Sequence, residues 1–246
     1  MKHLTKPHAL SCLCVFGGIA ALCLRLWFLN TGTDDRGLLV TGHPGNILSF
    51  VLAALVLLPG IFSALKEPDA RQCRAKASPL GALGAALGCA GIAAAAWSVL
   101  ADASGIVPVI TGVLGALSVL CLGFTALCRF KGLRTSPALS CVIILFLMLL
   151  PVQFYRQWSA EPQLPRYFFQ LLGSVCVLLW AFQRFALDAG VGSRRTHLLL
   201  RHCGIFFCIA AVAGSAQGLF YLTMAAWMLL DSLAVYPERT APHEAA

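Results

Sequence analysis

The chain has 246 residues, 59% of them hydrophobic and only 11% charged, with a mean hydropathy of +0.82. Soluble domains are about 45–50% apolar and ~25% charged, so this composition excludes a water-soluble globular protein and makes lipid the main solvent. A formal charge of +8 would suit a nucleic-acid binder, but the bases lie in short gaps between apolar blocks, where they act as topology signals instead.

A hydrocarbon core of about 30 Å needs roughly 20 residues of helix at 1.5 Å per residue, and the chain supplies such blocks one after another. The first covers residues 9–29; Lys2 and Lys6 precede it as in a signal peptide. It is longer than an ordinary signal core and has no small-x-small exit, so a retained span is expected. Arg25, Trp27 and Phe28 near its end are expected to reach the membrane interface. A polar loop follows with Asp34, Asp35, Arg36 and His43, and then a second span over 46–65, where Pro59-Gly60 predicts a kink or early fraying.

The densest charged stretch (Lys66, Glu67, Asp69, Arg71, Arg74, Lys76) leads to a third span over 80–100. That segment is rich in small residues; Gly84 and Gly88 form a GxxxG pair, which predicts a close helix–helix partner and a central place in the bundle. After a turn without bases, a fourth span occupies 106–128, and Arg129, Lys131 and Arg134 separate it from a fifth over 137–154, bent near Pro151. The sixth, 167–187, has aromatic residues toward both ends, as interfacial belts require. The last apolar stretch would be about 58 Å long as one helix, so it is split at Gly214-Ser215 into spans over 197–213 and 216–235.

The expected fold is therefore an all-α, polytopic transmembrane bundle of about eight spans forming a single membrane domain, with seven as the alternative. Every Lys and Arg except Arg25, Arg36, Arg156 and Arg166 falls at one set of span ends. The positive-inside rule then places both termini in the cytosol in a cell membrane. With seven spans the C-terminus would lie outside. Partners expected on this basis are the bilayer itself and anionic headgroups at the cytoplasmic basic loops, without nucleic acid.

Eleven cysteines occur, most of them inside or beside apolar blocks and with no CxxC pair, so they are expected to pack as small hydrophobes. Cys73 and Cys128 beside the basic loops should face a reducing cytosol.

No metalloprotease, nucleophile-elbow or phosphate-loop motif appears, and no His/Cys spacing suits a metal, so no catalytic residue, metal or cofactor is assigned. Two constellations remain. On the outer side, Asp34, Asp35, Arg36 and His43 could bind a ligand or simply solvate their loop. Asn46, Gln153, Tyr155, Arg156, Gln170, Gln217 and Tyr221 lie near the outer ends of different spans, where they could line a polar pocket or form interhelical hydrogen bonds. On the inner side Arg201 and Asp231 could form an ion pair that lowers the cost of both charges in the membrane. A non-catalytic accessory, structural or sensory membrane component ranks first as a function. A small-solute transporter or channel with an outward-facing polar pocket comes second, and a membrane-embedded enzyme third.

Overall fold

The structure is a computed structural model, and it describes residues 6–32, 43–66, 78–102, 105–133, 135–158 and 164–234. Eight helices occur among them: α1 (Lys6–Thr31), α2 (Pro44–Lys66), α3 (Pro79–Ala101), α4 (Ile106–Lys131), α5 (Pro137–Trp158), α6 (Leu164–Asp188), α7 (Arg194–Ala211) and α8 (Gly218–Ala234). By length and composition α1 to α6 can each cross a membrane, and α8 is a shorter apolar helix. The protein is an all-α membrane bundle.

Local chemistry sets the helix boundaries. Ser78 caps α3, its Oγ accepting the Gly81 N–H at 3.1 Å with Pro79 in the first helical position. Gly132 ends α4 at φ +70, while the amides of Gly132 and Leu133 close back on Arg129 and Cys128. The turn between α7 and α8 is made at Val212–Gln217, where Gly214 takes φ +66. Neither internal proline ends its helix: α2 continues through Pro59 to Lys66 and α5 through Pro151 to Trp158. A missing backbone donor is tolerated inside an otherwise intact, packed helix.

Helix α7 forms the middle of the bundle, with α8 beside it presenting Leu219 and Leu222 outward. α7 packs on α1, α2, α6 and α8, and α8 packs on α3 and α7, while α3–α4–α5–α6 close an arc around them. The expectation that α3 is central is corrected: its glycines face inward, but Leu83 and Trp97 are exposed, so the helix stands at the bundle surface. Gly84 and Gly88 serve a partner within the same chain. A Cβ at Gly88 would lie 2.5 Å from Cε3 of Trp227 on α8, so only glycine lets the indole lie flat against α3.

Between the two ends the helices share one continuous apolar core. Phe146, Trp180, Phe206, Phe220, Met224 and Trp227 are all fully buried within it. The faces turned outward are equally apolar, as on α4 (Val113, Leu117, Leu120, Phe124), which suits contact with acyl chains.

Contacts between helix termini define two ends of the bundle. At one end, Ser78 at the start of α3 meets Arg129 near the end of α4, which in turn reaches Asp188 of α6 and Asp231 of α8. This basic end also holds the start of α7. At the opposite end Trp27 meets His43, Phe50 meets Phe168, and Gln217 meets Ser98.

Candidate functional site

The polar residues singled out at the opposite end are dispersed over several contacts. Asp34, Asp35 and Arg36 lie outside the described residues. His43 caps α2, its Nδ1 accepting the Gly45 N–H at 3.2 Å while its ring rests on Trp27 and Phe28. Gln217 Nε2 donates to Ser98 Oγ, tying α8 to α3. Tyr221 donates its hydroxyl to the Gln170 carbonyl at 2.9 Å, tying α8 to α6. Gln153 Nε2 donates to Thr111 Oγ1 at 3.2 Å, tying α5 to α4. The last three contacts join different helices, as hydrogen bonds that hold membrane bundles together do. Asn46 sits in the first turn of α2, and Tyr155 is exposed on α5.

Of this set, Gln153 and Arg156 do share a cleft. It is a shallow, open depression of about 330 Å³, lined by Asp102, Gly105, Ile106, Val107 and Pro108 from the α3–α4 connection together with those two residues of α5.

Arg25 departs from its expected place at the interface. It is buried, and its guanidinium lies 4.5 Å from the centre of the Phe169 ring of α6, a cation–π contact inside the bundle. Tertiary neighbours give this charge an aromatic face, so it need not extend to water.

The most concentrated chemistry lies at the basic end. Arg129 of α4 and Arg184 of α6 share two carboxylates, Asp188 of α6 and Asp231 of α8. Arg129 Nη2 to Asp188 Oδ2 is 2.9 Å, Arg184 Nη1 to Asp188 Oδ1 is 2.6 Å, Arg184 Nε to Asp231 Oδ1 is 3.0 Å, and Arg129 Nη1 to Asp231 Oδ1 is 3.5 Å. The result is a closed ring of two cations and two anions that joins three helix ends. Helical spacing puts Arg184 and Asp188 four residues apart on one face, and the glycine cap of α4 keeps Arg129 within its last helical turn.

His197 of α7 borders this ring, and both it and Arg201 one turn further along α7 are buried. His197 lies against Trp180, which itself packs edge-on to Trp227 with ring centres 4.9 Å apart. The His197 Nε2 stands 3.8 Å from Asp231 Oδ2, too far for a hydrogen bond, and both atoms lack a hydrogen-bond partner, as does Arg201 Nε. The expected Arg201–Asp231 ion pair does not form among the described residues; Asp231 has Arg184 and Arg129 as its partners instead.

Sequence reasoning passed over Arg129, Arg184 and Asp188 as members of this ring, because Arg129 and Asp188 fall just beyond the spans assigned to their helices. The Arg184–Asp188 spacing was the signal that could have found half of it. Chemically, carboxylate oxygens already engaged by two guanidiniums are poorly placed to ligate a metal. Among the described residues no group of three or more His, Cys, Asp or Glu is placed to hold a metal ion.

No family model, curated protein or solved structure matches this chain.

Proposed function

We propose that this protein is a non-catalytic accessory or structural membrane component, oriented with its basic end and both termini in the cytosol and with its basic loops on anionic headgroups. The observation that carries the reading is the filled interior: Phe146, Trp180, Trp227 and Phe206 occupy the core between the two ends, where a transport path would need polar groups or space. The acidic side chains at the basic end are engaged with arginines, which suits holding helices together more than moving protons. The polar contacts at the opposite end likewise join pairs of helices.

The test is reconstitution of the full chain in proteoliposomes, with flux of small ions, amino acids and sugars compared with protein-free vesicles, alongside the amount of protein assembled in cell membranes. Flux equal to the protein-free control is expected, with Arg184 and Gln217 substitutions lowering abundance. A saturable flux abolished by Gln153→Ala would overturn the reading in favour of a transporter.

A further inference from the structure

We propose that the cleft between the α3–α4 connection and the end of α5 binds an amphiphile whose headgroup joins a phosphate to a primary ammonium, as in a phosphoethanolamine lipid. Opposite charges face the same space, with Asp102 on one element and Arg156 on the other. Asp102 forms no ion pair or side-chain hydrogen bond among the described residues, so its carboxylate does not close on the guanidinium that lines the same cleft. Opposite charges that share a cavity without closing on each other match a guest carrying the complementary dipole.

The anionic half has a defined place. A guanidinium pairs with phosphate oxygens in a forked geometry, and Gln153 lies beside it in the lining. Gly105 begins α4 without a side-chain cap, so the amides of Ile106 and Val107 in the same lining add donors at the positive end of the helix. The ammonium then falls to Asp102.

The volume, about 330 Å³, lies at the lower end of the roughly 300–1,000 Å³ of ligand clefts and suits a headgroup alone. Apolar surface adjoins it: Ile106 is 76% exposed, and Ile110, Val113 and Leu117 continue an exposed stripe down α4 on which acyl chains can lie. That continuity favours a lipid over a soluble zwitterion of the same chemistry.

The experiment uses the full chain released from nanodiscs containing equal parts phosphatidylethanolamine, phosphatidylcholine and phosphatidylglycerol, with retained lipid counted by native mass spectrometry. Phosphatidylethanolamine is expected at least tenfold above phosphatidylglycerol. Asp102→Asn should erase that preference, and Arg156→Gln should lower retention of both lipids at least tenfold. Both side chains are exposed, so the variants should keep the wild-type unfolding temperature, which is measured in parallel. Soluble glycerophosphoethanolamine forms a second arm: binding at strength equal to the lipid, with the same Asp102 dependence, upholds the cleft chemistry and assigns its source to soluble zwitterions, whereas binding of the two-chain lipid alone assigns it to the bilayer. Equal retention of all three lipids by wild type and both variants overturns the proposal.

Discussion

Replacing Asp231 by Asn tests whether the ionic ring holds the basic end together. Asp231 is fully buried, and its Oδ1 accepts from Arg184 Nε at 3.0 Å and from Arg129 Nη1 at 3.5 Å. Losing its charge leaves two buried guanidiniums with Asp188 as their one acidic partner in the ring. Removing one partner from a buried pair costs about 3–5 kcal/mol, because the remaining charge stays desolvated. That lowers the folded-to-unfolded ratio by roughly two to four orders of magnitude. Asp188→Asn should cost less, about 1–3 kcal/mol, since its side chain is 14% exposed and water can take over part of its role. The double variant Arg184→Met with Asp231→Leu removes opposite charges together, so it should fall short of the sum of the single costs by about 0.5–3 kcal/mol. Equilibrium unfolding of the full chain in mixed micelles, followed by tryptophan fluorescence, reads these values near the site because Trp180 lies against His197 beside the ring and Trp227 packs on Trp180. A cost below about 1 kcal/mol for Asp231→Asn, or strictly additive single changes, would mean that the charges are hydrated and that the ring contributes little.

Gly88→Leu forces a branched side chain against Trp227, and overpacking of this kind costs about 1–3 kcal/mol; its unfolding midpoint should fall, whereas Ala86→Leu on the exposed face of the same helix should leave it unchanged. Gln217→Leu removes the α8–α3 hydrogen bond and should cost only about 0.6 kcal/mol, the average for such bonds in a membrane bundle, measured in the same unfolding assay. A cost above 2 kcal/mol would show that the opposite end depends on that contact more than geometry suggests. For orientation, a membrane-impermeant maleimide should reach Cys73, which lies between α2 and α3, only after the membrane is opened. Labelling in intact cells would invert the proposed topology.

The two ends of the bundle use polar chemistry differently. At the basic end charges are concentrated and mutually neutralised across α4, α6 and α8. At the opposite end single neutral hydrogen bonds join helices in pairs, and the open cleft is where charged groups face solvent without closing on each other. A packed apolar layer separates the two ends.

Composition and periodic spacing alone determined the class of this protein, because a lipid solvent demands long apolar runs with internally satisfied backbones, and such runs are written in the sequence without reference to any contact. The break at Gly214-Ser215 was legible for the same local reason: an unbroken helix there would be about twice the thickness of the bilayer. Tertiary structure alone decided which side chains meet. Arg129, Arg184 and Asp231 are far apart in sequence, and hydropathy records their cost in lipid but not the partner that offsets it. Arg25 reads as an interfacial residue until α6 brings Phe169 beneath it. The small residues of α3 announce a close neighbour, yet only packing reveals that the neighbour is Trp227 of the same chain and that α7 holds the centre. The cleft follows the same rule: Asp102 and Arg156 belong to different elements, and their shared cavity exists only once α3, α4 and α5 are assembled.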